Sequence, residues 1–328
     1  MSKALGRVVS LGIAKETVRG TAETAATFYI PWSEASVEEK DTKIADEQSY
    51  GIIEDSTGMS IVKQWAEATV KAPIGDKHFP LILFSALGAL STAANADASG
   101  TVKDHTITVA QTAQHQALTL FLDDPASGAD YKHALGCLNS LEIKFELGKF
   151  LDYQATFKAK KGATATLTPS VVAENRFLPQ HLTFKTAANL AGLTAASAIQ
   201  IRNLSLKIEK NLEEDDALGS IGPVDFLNKQ ISIEGQLEAV WSDETFKTLA
   251  LAGTIKAMRL DLNNLDVTIG TAAHPQIVLD LAKVTFKELT RPFKLNDIIT
   301  QQLSFKASYS SGDTKMVTIK ATNLQASY

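Results

Sequence analysis

The sequence predicts a mainly β protein of the sandwich or barrel type, with one short helix in each of two repeated halves. Three observations predict it. Apolar and polar residues alternate with a period of two in segment after segment, as in strands with one buried and one wet face. Only two stretches carry helical signals. The order of loop, strand, helix and hairpin in the first half also recurs in the second. Residues 140–162, SLEIKFELGKFLDYQATFKAKKG, show the first point most plainly. Leu141, Ile143, Phe145 and Leu147 fall on one face, with Glu142, Lys144 and Glu146 on the other. Beyond a Gly-Lys break, Leu151, Tyr153, Ala155 and Phe157 oppose Asp152, Gln154, Thr156 and Lys158.

The first half opens on an acidic loop, 33–58, and an approximately alternating strand at 61–71. A helix follows IGDKHFP, with Pro80 near its first turn, running through Leu81, Phe84, Leu87 and Leu90. The hairpin 140–162 closes this half, and the Ala/Thr-rich stretch 162–170 reads as a linker. The second half repeats the order. An acidic loop at 209–228 leads to a strand at 231–241. The helix of WSDETFKTLALAG has Ser242 or Asp243 to cap its free amides and Gly253 to close it. A hairpin at 283–312 shares a Phe-Lys-Ala triplet with the first, Phe305 to Ala307 matching Phe157 to Ala159. Further alternating segments stand at 117–122, 203–209, 276–289 and 316–321. The predicted division is an N-terminal arm at 1–20, a first domain at 21–165 and a second at 166–328.

At 328 residues the chain can bury a substantial core, and its single cysteine, Cys137, reads as buried and structural. A net charge of −5 argues against gripping nucleic acid phosphates, which needs clustered Lys and Arg. The start lacks an apolar core of signal-peptide length, and the most hydrophobic run, 79–90, is too short to span a bilayer, so a soluble protein outside the usual secretory route is expected.

Motifs that carry chemistry are not found. There is no phosphate-cradling glycine loop, and LGSIG at 218–222 lacks the spacing of a nucleophile elbow. The six histidines are scattered and read as surface or rim residues. Asp-Asp-Pro at 123–125 reads as a strand exit, because adjacent strand residues point to opposite faces. EEDD at 213–216 lacks the glycine and spacing of a calcium loop and reads as solvated or partner-facing. No enzyme, cofactor or metal site is expected. A β-sandwich binding or adhesion module is the alternative class, but its usual aromatic platform is missing: Trp32, Trp65 and Trp241 are dispersed.

The N-terminus, LGIAKETVRGTAETAATFYIPWSEASVEEK at 11–40, carries a resemblance. Gly12, Lys15, Glu16, Thr17, Gly20, Thr21, Ala22 and Pro31 resemble the pattern of the major tail tube proteins of long-tailed bacteriophages. The hairpin at 137–162 is similar to that family's tube-lining hairpin, and the apolar helix at 79–90 has its counterpart there. The second half matches through the repeat pattern.

The resemblance implies subunits that close into rings, rings that stack into a hollow tube, and a lumen built as one β-barrel to which every tube domain gives strands. Six domains surround such a channel. Two domains per chain imply a homotrimeric, pseudo-sixfold ring; a merely decorative second half implies a homohexamer. Tail terminator and distal tail proteins are the implied partners, and DNA passes through without specific binding. The implied place is the virion tail, after assembly in the host cytoplasm. On this reading Glu142, Glu146, Asp152, Glu234 and Glu238 face the lumen, where an acidic lining lets DNA slide. Lys144 and Lys158 share that face and offset part of the repulsion. Glu38, Glu39, Asp41, Asp46 and Glu47, in the acidic loop, are the expected ring-to-ring contact, ordering only against a neighbour.

Overall fold

The computed structural model describes residues 5–125, 128–293 and 295–328. Large antiparallel sheets dominate it, and among the described residues no sheet closes into a barrel.

One ladder of eight strands crosses the molecule. Glu34–Ala45 pairs with Met59–Pro73, that strand with Asp152–Ala159, and that one with the C-terminal part of Asp130–Glu146. Asn203–Glu209 comes next, then Ser232–Val240, Thr300–Ser308 and the C-terminal part of Gln276–Thr290. The first four strands belong to the first half of the sequence and the last four to the second. They meet at seven residue pairs, from Asn203 opposite Glu146 to Glu209 opposite Ser140.

A second layer backs this ladder in each half. Ser10–Lys15 lies between Phe28–Ile30 and Leu118–Asp123, which continues to the N-terminal part of Asp130–Glu146 and to Ala163–Ala165. Leu182–Ala187 lies in the same way between Ala198–Ile199 and Lys256–Asn263, which continues to the N-terminal part of Gln276–Thr290 and to Val317–Asn323. The hairpin Gly88–Ala94 and Lys103–Val109, inserted in the first half, adds to the free edge of Val317–Asn323 and ties the halves together.

The correspondence extends to single residues. Leu138 and Leu141 oppose Phe157 and Ala155 across a bulge; Phe286 and Leu289 oppose Phe305 and Leu303 across another. Each bulge is stitched alike, Ser140 N–H donating to Thr156 Oγ1 at 3.2 Å and Glu288 N–H to Ser304 Oγ at 3.2 Å. Conserving the extra residue in both strands keeps each long strand bent at the point where it passes from one layer to the other. Gly235 stands opposite Phe305 as Ala68 stands opposite Phe157. A Cβ at Gly235 would meet the Phe305 ring at 2.4 Å and the Ser205 carbonyl at 2.3 Å, so glycine lets the Phe305 ring lie directly over the backbone.

The helices occupy matching positions but different surroundings. His78–Leu87 is apolar all round and buried at every residue, as a helix between two layers must be. It stops at Gly88, whose φ of 88° turns the chain, so Leu90, expected on the helix, lies on the following strand. Thr245–Ala252 buries only Phe246, which packs edge-on against Phe286 at 5.6 Å. Asp243 accepts from Thr245 N–H at 2.8 Å, and Gly253 ends the helix in the left-handed region, as expected.

Four expectations are corrected. The acidic loop at 33–58 is a strand over Glu34–Ala45, paired inside the chain with Met59–Pro73, so it needs no neighbour to order. Of the arm at 1–20, residues 1–4 lie outside the described residues, and Ser10–Lys15 is a strand built into the body. The stretch at 162–170 contains Ala163–Ala165, paired with residues 130–132. Five histidines, His78, His105, His115, His133 and His181, are buried, because each finds an internal partner for a ring nitrogen.

Candidate functional site

The eight-strand ladder has two chemically distinct faces. Leu141, Ile143 and Phe145, with Leu204, Leu206, Ile208, Leu237, Leu303 and Phe305, point inward and are buried. The opposite face is polar along its whole width. Direct pairing puts Glu142 opposite Lys207 and Gln154, Glu146 and Glu238 opposite Asn203, Glu234 opposite Lys207 and Lys306, and Asp152 opposite Lys144. The five candidate carboxylates therefore share one face of one sheet, though they come from three strands. That face is concave: Glu142, Glu146 and Glu238, with Lys144, Asn203 and Gln236, line a shallow hollow of about 950 Å³. Asp152 and Glu234 sit outside the hollow.

The lining is mixed in charge rather than purely acidic. Glu142 meets Lys144 at 3.3 Å and Glu146 meets Lys149 at 2.7 Å. Glu234 lies 2.8 Å from Lys306 and 3.8 Å from Lys287. Hydrogen bonds from Lys149 and from Lys306 hold Glu146 and Glu234 below the usual carboxylate range. Asp152, 3.8 Å from Lys71, is raised instead, because partial burial outweighs that lysine. Glu238 accepts from Asn203 at 3.1 Å. Such pairs lower the local potential without closing the face, since exposed ion pairs exchange freely with water. Lys71, Lys207 and Lys306 escape sequence reading as lining residues because the acids they meet are remote in the chain.

The ring-contact candidates divide. Glu38, Glu39 and Asp41 stand on the outermost strand of the ladder, while Asp46 and Glu47 lie in the connection 46–58 that follows it. Asp46 accepts from Tyr50 and Thr57, both at 2.9 Å, so this connection is folded on itself. The EEDD run pairs inside the chain: Glu214 binds Lys63 and Lys158, and Asp216 binds Lys63 at 2.6 Å.

The N-terminal motif is architectural. Gly12 passes so close to Ala26 that a Cβ would approach it to 2.6 Å, and Gly20 has a φ of 79°. Between them the buried Glu16 carboxylate accepts from Leu135 N–H at 2.6 Å and Gly20 N–H at 2.7 Å. A family model described as a phage tail tube protein matches residues 6–307, spanning the motif and both sets of ladder strands. The chain belongs to the phage tail tube protein family. A search of curated proteins finds no match to it. A tail tube protein is a structural component of the virion tail, and a polar, concave sheet suits that role.

A clasp in this tail tube protein joins the halves beneath the ladder. Arg19 donates to both Asp225 oxygens at 2.9 Å and to the carbonyls of His115 and Phe226, and Lys210, fully buried, donates to Ser85 O at 2.9 Å. Next to it His115 Nδ1 hydrogen-bonds Ala86 O at 2.8 Å, and burial, with Lys210 nearby, drives its pKa down to about 4. The unfolded imidazole takes a proton near its ordinary value, while the folded one resists until about pH 4. Between these values the unfolded chain binds more protons, so stability falls as pH falls. The expected loss from His115 alone is about 3 kcal/mol from pH 7 to 4. Urea midpoints across that range check it, and His115→Gln should flatten the profile.

Proposed function

We propose that three copies of this chain close into a pseudo-sixfold ring, that rings stack into a tube, and that the polar face of the ladder is its DNA-conducting lumen. Each chain is then two tandem tube units, at 21–165 and 166–328. The observation that carries this reading is an eight-strand ladder, polar and concave on one side, whose outer edges at 34–45 and 285–290 are unpaired among the described residues. Three copies supply 24 strands. At about 4.8 Å spacing and about 40° tilt these enclose a backbone cylinder roughly 48 Å across, which leaves room for a DNA duplex inside the side chains. A pairing-competent edge normally invites aggregation, and ring closure consumes it. Tail terminator and distal tail proteins are the partners at the tube's two ends, and the host cytoplasm is where it assembles.

The experiment is electron microscopy of concentrated protein combined with native mass measurement of single rings. Hollow rings of three chains are expected. Six chains per ring would remove the tandem-unit reading, and monomers alone would favour a binding or adhesion module.

A further inference from the structure

The junction between the halves is a template for the junction between copies. Inside the chain, residues 140–146 pair with Asn203–Glu209. The register of the flanking strands makes residues 288–290 the counterpart of 140–142, because Phe286 and Leu289 oppose Phe305 and Leu303 as Leu138 and Leu141 oppose Phe157 and Ala155. It makes 34–40 the counterpart of 203–209, because Glu34, Ala35 and Val37 oppose Lys71, Val70 and Ala68 as Asn203, Leu204 and Leu206 oppose Glu238, Leu237 and Gly235. The two members of this second junction sit at opposite ends of the ladder and cannot meet within one chain.

We propose that they meet between copies, in the register of the internal junction: Lys40 of one copy opposite Glu288 of the next, Glu38 opposite Thr290, Val37 opposite Arg291 and Ala35 opposite Phe293. This rests on the ring reading above and specifies its seam. Three further observations fit it. Phe293 is 73% exposed, whereas its counterpart Phe145 is 5% exposed against Leu204. Arg291 pairs through Nη1 with Glu244 at 3.1 Å and stacks on Trp241, its Nε and Nη2 find no acceptor among the described residues, and the seam brings Glu39 of the second copy to the adjacent position on the same face. The Lys40 and Glu288 positions bring opposite charges together, as cross-strand pairs favour. The seam also moves Glu38 and Glu39 from a contact between rings to one within a ring.

Cysteine pairs read the register. Directly opposed Cα atoms lie about 4.5–5.5 Å apart, inside the roughly 4.4–6.8 Å that a disulfide spans, and a two-residue slip adds about 6.8 Å along the strand. The full chain carrying Glu38→Cys and Thr290→Cys is oxidised after assembly and compared with Glu38→Cys plus Glu288→Cys; Cys137 is buried and does not compete. The first pair should give covalent trimers at least tenfold more efficiently. Rings in which only the second pair cross-links overturn the register and leave the ring reading intact; absence of rings from the unmodified protein overturns both. Should the cysteine variants not assemble, Lys40→Glu and Glu288→Lys decide: each alone should weaken assembly and the double exchange restore it, and no restoration overturns the seam.

Discussion

Phe293→Asp is expected to give a protein that folds normally and does not close rings. In the single chain Phe293 is 73% exposed, so its replacement should leave the monomer within about 0.5 kcal/mol of the parent. At the proposed seam it takes the place that Phe145 holds inside the chain, where burial is nearly complete. Losing that burial costs about 2 kcal/mol per seam, before any cost of placing a carboxylate against apolar neighbours. Three seams make about 6 kcal/mol, which lowers the closure constant by roughly four orders of magnitude. Sedimentation velocity with a thermal melt of the same sample separates the two effects. Unchanged melting with loss of rings is the expected pair of results; rings at the parental concentration would remove Phe293 from the interface.

How much of this was legible in the sequence depended on whether the chain itself covers a strand. The hairpin at 140–162 was readable because its apolar face is buried within the chain and its polar face is wet, which writes a period of two into the residues. Glu34–Ala45 was not, because it is exposed at most positions in the single chain, and Ser-Glu-Ala-Ser-Val-Glu-Glu-Lys reads as an acidic loop. Ser10–Lys15 failed for the opposite reason: Leu11, Gly12, Ile13 and Ala14 are all buried, so nothing alternates. The candidate carboxylates were visible one by one in alternating strands. Their lysine partners were not, since Lys71 reaches Asp152 and Lys306 reaches Glu234 only through sheet order. Burial of the histidines is not legible in the sequence because it is set by neighbours far along the chain, as with His105 against Asn323.

Phage particles carrying Glu142→Lys, Glu146→Lys and Glu234→Lys are expected to build tubes and to deliver DNA slowly. The three carboxylates are between one-third and one-half exposed and meet lysines in water-accessible pairs, so the fold loses little when they are reversed. The proposed lumen changes more. Duplex DNA presents about one negative charge per 1.7 Å of axis, and a face that already holds Lys144, Lys207 and Lys306 becomes strongly basic once its acids are replaced. Each phosphate then neutralised adds about 0.9 to the slope of log affinity against log salt, so drag inside the tube should be severe at low salt and relieved at high salt. The measurement is the rate of triggered ejection in vitro at two salt concentrations, with tube length checked by electron microscopy. A salt-dependent slowing in tubes of normal length identifies this face as the lining, because a defect in assembly or in receptor triggering has no reason to follow the counterion law. Parental rates at low salt would mean that DNA never meets these residues, and the conducting surface would have to lie elsewhere on the ladder.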